Sequence, residues 1–112
     1  EKAARRYIEK SGFTVLDTNF RCAYGEVDIV ALEGDSLVFL EVRTRSSNLL
    51  GSPEESITTG KERRLIATAE TYLQSRTDLP CDWRIDLVAV DVDRNGRITR
   101  IERTENAVSN SS

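Results

Sequence analysis

Three carboxylates interrupt a stretch that otherwise has the composition of buried β-structure. Glu26, Asp28 and Glu41 lie in Gly25-Glu-Val-Asp-Ile-Val-Ala-Leu-Glu-Gly-Asp-Ser-Leu-Val-Phe-Leu-Glu-Val-Arg-Thr-Arg45. Side chains alternate along a strand, so Glu26 shares a face with Asp28, and Glu41 with Arg43. Carboxylates are costly to bury unless paired or coordinated, and hard oxygen ligands suit magnesium. Acids on adjacent strands, with a cation two residues after the second, suit hydrolysis of a phosphodiester. A metal generates hydroxide and polarises the phosphate, while the cation meets the developing charge. Many hairpins carry scattered acids, so this spacing alone is only moderately specific.

The elements that must hold these groups follow from periodicity and turn chemistry. The acidic stretch reads as two strands joined by a tight Glu33-Gly-Asp-Ser36 turn. Before it, Ala3, Ala4, Tyr7 and Ile8 mark one apolar face of a helix over 1–10, closed by Ser11-Gly12. Residues 13–21 read as a strand, with Phe13, Val15 and Leu16 available for packing and Asp17-Thr-Asn19 loosening it. After the hairpin, Ser46 to Ser52 is a polar loop near the site. Ser52-Pro-Glu-Glu55 and Thr59-Gly-Lys-Glu62 both read as capping boxes. The second opens a helix through about Arg76 that buries Leu65, Ile66, Ala69, Tyr72 and Leu73.

Leu79-Pro80 ends that helix, and Trp83 to Val92 reads as a buried central strand. Arg84 and Asp86 lie at its start, and a structural role is expected for both. Asp93-Arg-Asn-Gly96 is a turn signal, Arg97 to Arg103 an edge strand, and 105–112 a polar, disordered tail. The order α-β-β-β-α-β-β predicts an α/β protein: an antiparallel-leaning sheet to which a helical crossover returns the chain, as one domain over 1–104.

The chain has 112 residues, 38% hydrophobic and 31% charged, which suits a single globular core. No apolar run approaches the ~20 residues that cross a bilayer, and a cytoplasmic location is expected. The chain opens on Glu1 rather than methionine, which leaves residues upstream of it open. Cys22 and Cys81 lack CxxC spacing and are expected as two buried or half-buried thiols of a cytosolic protein. There is no histidine, so histidine-based triads and zinc sites are excluded. The net charge of -3 argues against a protein that coats nucleic acid by bulk charge. The distribution is more telling: residues 25–42 hold five acids and no bases, and residues 43–64 hold five bases and three acids. A basic rim beside an acidic hairpin can meet phosphate while a metal offsets the acids. Arg45, Lys61 and Arg64 are the candidate nucleic-acid contacts. Lys61 and Arg64 share a helix face, which a solvated surface explains equally well.

Gly25-Glu-Val-Asp-Ile-Val-Ala followed by Leu37-Val-Phe-Leu-Glu-Val-Arg-Thr-Arg45 resembles the YraN family of bacterial proteins. Thr58-Thr-Gly-Lys61 and Tyr72-Leu73 extend the similarity over nearly the whole chain. That family is placed in the PD-(D/E)xK nuclease superfamily and resembles archaeal Holliday-junction resolvases. The resemblance implies a restriction-endonuclease-like core, a mixed central sheet flanked by helices. It implies Asp28 and Glu41 as metal carboxylates for Mg2+ or Mn2+, with a backbone carbonyl from Val42. Glu26 matches the glutamate of the Gly-Glu-x-Asp signature and is implied as a further ligand to the metal or its water. Glu1 matches the glutamate that opens the family's first helix and approaches the site, which implies it as a further metal residue; taken alone, it is a terminal acid favouring the helix dipole. Arg43 stands where the superfamily motif has lysine. Arginine can grip phosphate oxygens bidentately, but its pKa above 12 forbids a general-base role.

The expected activity is metal-dependent endonuclease cleavage of DNA, branched or single-stranded, in repair, recombination or DNA uptake. Resolvase-like proteins work as dimers on two-fold symmetric junctions, so a homodimer is plausible. The alternative is a DNA-binding module without turnover on the same fold. A third reading is an interaction domain whose acids are structural.

Overall fold

The computed structural model describes residues 2–46 and 58–108. Helix α1, Lys2–Lys10, leads into strand β1, Thr14–Cys22. Strands β2, Gly25–Glu33, and β3, Ser36–Ser46, form the hairpin that carries the acids. Helix α2, Thr59–Gln74, precedes β4, Asp82–Val92, and β5, Ile98–Val108. The five strands lie in one sheet in chain order, β1-β2-β3-β4-β5. All neighbours are antiparallel except β3 and β4, which run parallel from Ser36 opposite Asp82 to Ser46 opposite Val92. This is the mixed sheet flanked by helices expected of a restriction-endonuclease-like core. The parallel pair requires a crossover, and α2 supplies it.

Each helix covers one face of the sheet. Ala4 and Ile8 of α1 pack with Phe13, Ile29, Ala31, Val38, Leu40, Val88 and Val90. Leu65, Ala69 and Tyr72 of α2 pack with Val27, Val30, Leu37, Phe39, Ile85 and Val108. Strict alternation along β3 therefore sends Leu37 and Phe39 toward α2, and Val38 and Leu40 toward α1. Continued past Leu40, the same alternation directs Glu41 and Arg43 to the α2 face. Tyr72 anchors that face, with its ring edge-on to Phe20 and Phe39 at centroid distances of 5.0 and 5.8 Å.

The glycine turn of the hairpin forms as its composition predicts. Glu33 pairs with Ser36, and Gly34 adopts φ 59°, a left-handed conformation that a side chain would oppose.

Three differences from the sequence reading have local causes. Helix α2 is capped by Thr58, not Thr59. Thr58 is extended, its hydroxyl accepts from the Lys61 amide at 3.2 Å, and its carbonyl accepts from the Glu62 amide at 2.9 Å. Lys61, not Glu62, thus occupies the third helical position, so the reciprocal glutamate of a capping box is absent there. Second, β5 runs on to Val108, through residues whose polarity suggested a tail. The cause is Asp86, whose Oδ1 accepts from the Asn106 amide at 2.7 Å. Asn106 takes φ 56° there, the β4–β5 register shifts, and Val108 is buried opposite Ile85. Third, Cys81 is exposed in the segment after Pro80, and only Cys22 is half-buried. Val15 packs on the α1 side and Leu16 on the α2 side, as alternation along β1 requires. The Ser46–Ser52 loop and the Ser52-Pro53 capping box lie outside the described residues, apart from Ser46 itself.

Arg84 and Asp86 have the structural role expected of them. Asp86 is fully buried and takes hydrogen bonds from Arg84 at 2.9 Å, Arg103 at 2.9 Å and the Asn106 amide. Arg84 also reaches Glu33 at 2.6 Å, and the Arg103 guanidinium lies 5.1 Å from the centre of the Phe13 ring. Phe13 belongs to the α1 side, so this polar knot and Glu41 of β3 lie on opposite faces of the sheet.

Candidate metal centre

The backbone ladder between β2 and β3 ends at Ile29 and Leu40. One residue further, in the same register, Asp28 would face Glu41. Instead of a strand carbonyl, the Asp28 carboxylate accepts the Val42 amide, with Oδ2 at 2.7 Å. The side chain thus closes the ladder where the strands part, and it fixes the carboxylate beside Glu41. That end of the hairpin borders a cleft of about 300 Å³, lined by Gly25, Glu26, Asp28, Glu41, Val42, Arg43, Lys61, Arg64 and Leu65.

Glu41 is the electrostatic centre of this cleft. It is 6% exposed, and its Oε2 lies 2.6 Å from Lys61 Nζ and 3.8 Å from an Arg43 terminal nitrogen. Burial pushes the Glu41 carboxyl above its ordinary value; Lys61 opposes the shift and neighbouring Asp28 adds to it. The site thus disfavours the charged form of Glu41, and Lys61 is its main offset. Arg43 is half-buried, and its Nε is buried with no hydrogen-bond partner among the described residues. The side chain as a whole stays partly exposed where it lines the cleft.

The residues singled out from sequence separate into distinct places. Asp28, Glu41, Val42 and Arg43 all line the one cleft. Glu26 reaches the cleft edge, but its carboxylate accepts from Arg21 of β1 at 2.7 Å. It lies beyond the end of the β2–β3 ladder, where the neighbouring partner is β1 (Arg21 opposite Glu26). Glu1 lies outside the described residues. Arg45 pairs with Asp91, its neighbour across the parallel ladder, and does not line the cleft. Arg64 is exposed at the cleft wall. Lys61 differs most from expectation, because it reaches the acids instead of standing on an outer rim.

What sequence reasoning missed is therefore the Lys61–Glu41 pair. The available signal was the position of Lys61 at the start of a helix that had to cross over the acid-bearing face.

The donor set fits a hard divalent cation. Asp28 and Glu41 offer carboxylate oxygens, and a parted strand pair leaves room for a backbone carbonyl to join them. Among the described residues no three acidic or cysteine side chains cluster as a ready cage. Such a two-carboxylate set resembles magnesium sites completed by water and substrate phosphate, not all-protein cages.

A profile of the uncharacterised protein family UPF0102 matches residues 1–90. A UPF0102 protein of Pelotomaculum thermopropionicum is 45% identical over 107 residues, spanning 96% of this chain and 89% of its own length. The similar protein of Moorella thermoacetica is 45% identical over 102 residues, with 91% and 85% covered. That of Clostridium acetobutylicum is 37% identical over 107 residues, with 96% and 88% covered. Matches of this identity and coverage reach both the hairpin and the helix that faces it, and the chain belongs to the UPF0102 (YraN) family.

Proposed function

We propose that the protein is a metal-dependent endonuclease that hydrolyses phosphodiesters in DNA. The observation that carries this reading is the convergence of Asp28 and Glu41 with Arg43 and Lys61 in one cleft. Asp28, Glu41 and the Val42 carbonyl would hold Mg2+ or Mn2+. When bound, the ion supplies an activated water and polarises the scissile phosphate.

The chain's own residues do the rest. Asp28 is held by the Val42 amide, so its free oxygen keeps a set direction. Arg43 offers planar N–H donors to a phosphate oxygen and meets charge in the transition state. It does not act as a base. Lys61 holds Glu41 oriented and adds positive charge where the phosphate enters. Arg64, on the cleft wall, meets the backbone away from the scissile bond. Repair, recombination or DNA uptake are the processes that use such cleavage, and a homodimer suits a two-fold symmetric junction.

The same Lys61–Glu41 contact favours a second reading, a DNA-binding module without turnover. A 2.6 Å ammonium–carboxylate pair offsets the buried acid without any metal. The two readings separate in one experiment. Purified protein is incubated with branched, single-stranded and duplex DNA in magnesium or manganese. Cleavage that disappears in Asp28→Ala and Glu41→Ala supports the nuclease. Salt-dependent binding without cleavage supports the binding module. Cleavage that survives both substitutions sinks the proposed site.

A further inference from the structure

Tyr24 stands apart on the surface of this protein. It is 57% exposed, and it and Ile98 are the only large apolar side chains exposed among the described residues. Ile98 begins β5, at the far edge of the sheet. Tyr24 instead occupies the tip of the β1–β2 hairpin, where Cys22 pairs with Gly25 and Ala23-Tyr24 make the turn. The next residue, Gly25, lines the cleft that holds Asp28, Glu41 and Lys61.

The hairpin tip is fixed against α2. A Cβ placed on Gly25 would lie 3.4 Å from Thr68 Oγ1 and 3.8 Å from Arg64 Cβ, so backbone and helix touch there. Cys22 Sγ donates to Thr68 Oγ1 at 3.8 Å, and Phe20 packs on Tyr72 just behind. Tyr24 is therefore displayed from a firm base, beside the helix that carries Lys61 and Arg64. No other ring stacks on it among the described residues. Tyrosine has few side-chain torsions and loses little freedom when a flat partner covers it.

Resting on the nuclease reading of the cleft, we infer that Tyr24 is a stacking platform for an unpaired base next to the scissile phosphate. The substrate class follows: DNA with an unstacked nucleotide at the cleft, as in a single strand or an opened junction arm. An intact duplex buries its base faces against each other and presents none to the ring. Recognition of this kind tolerates any base, because each has a π-face. Arg64 then meets the phosphate chain while Tyr24 sorts the strands by their pairing.

The test measures anisotropy of a labelled single-stranded oligonucleotide and of the matching duplex, in calcium, with gels to monitor cleavage. Wild type, Tyr24→Ala and Tyr24→Phe are compared. Tyr24→Ala is expected to weaken single-strand binding about 5- to 150-fold, the factor that one stacked base supplies. Tyr24→Phe is expected to keep it, and neither change alters duplex binding. Single-strand binding by Tyr24→Ala equal to wild type overturns the inference and leaves the nuclease reading intact. So do equal losses on single strand and duplex. Wild-type protein that binds no DNA at all removes both. Because the turn is exposed, thermal melts of the variants should match wild type, which separates a binding defect from a folding one.

Discussion

Lys61 Nζ lies 2.6 Å from Glu41 Oε2, and this one contact ties α2 to β3 across the cleft. It joins a residue from a helix start to a residue in the middle of the most buried strand pair. The relationship gives Lys61 a measurable weight in function. Lys61→Met keeps the aliphatic stem but removes the charge. DNA cleavage is expected to fall on the order of 10²-fold, the usual loss of one charge-stabilising donor. Retention of the wild-type rate in that variant would show that the pair is only structural.

Glu41 carries a stability cost that pH reveals. Burial raises its carboxyl above the ordinary value, so the folded chain binds its proton more readily than the unfolded one. Its contribution to stability is thus full below the unfolded pKa and is lost as pH rises through the folded pKa. At pH 7, without added metal, Glu41→Gln is expected to melt above wild type, and the gap should close in acid. Magnesium should then raise the midpoint of wild type but not of Glu41→Gln. Thermal melts across pH, with and without the ion, check both signs.

Asp28 combines two duties that two substitutions divide. Asparagine retains an oxygen for the Val42 amide but lacks the charge; alanine lacks both. Asp28→Ala is expected to lose about 2 kcal/mol of stability, the value of a hydrogen bond to a charged group. Asp28→Asn should fold nearly as well as wild type. Neither should cleave DNA. Urea melts beside cleavage gels give the comparison, and an active Asp28→Asn would remove Asp28 from the chemistry.

The Asp86 knot predicts the opposite pattern. Removing the fully buried carboxylate takes away the shared acceptor of Arg84, Arg103 and the Asn106 amide, while Arg84 keeps Glu33 and Arg103 keeps Glu105. Asp86→Ala is expected to lose roughly 3–5 kcal/mol. At a temperature where the variant remains folded, its cleavage rate should stay near wild type, because the knot is on the other face of the sheet. A selective loss of cleavage in fully folded Asp86→Ala would contradict this separation.

Arg64 should act through phosphate alone. Arg64→Ala is expected to weaken DNA binding similarly for all sequences and to lower the salt slope by about one. A titration of affinity against salt concentration reads that slope directly.

Much of this was legible from residue types because period and burial agree. Leu37 to Leu40 alternate cleanly between the two helices, so the positions of Glu41 and Arg43 follow by counting. The turn at Gly34 and the crossover after β3 were equally readable, since each rests on local chemistry. Other features depended on partners distant in sequence. Val108 enters the sheet only because Asp86 binds the Asn106 amide, twenty positions back along the chain. Arg45 looks like a surface cation until the parallel register sets it opposite Asp91. Thr58 and Thr59 are equally suited to the cap by residue type, and it is Thr58 that takes it. Lys61 is the clearest case, because its role needs the helix to be laid over Glu41 before it exists.

The bond from Asp28 to the Val42 amide has one more consequence. An amide proton held by a carboxylate, not by a neighbouring strand, senses every change in that carboxylate's charge. Its magnetic resonance signal is a native reporter inside the cleft: a cation arriving on Asp28 must withdraw electron density from the acceptor and move the Val42 peak. The protein thus carries its own label for watching ions and phosphates come and go, one residue beyond the acid they would meet.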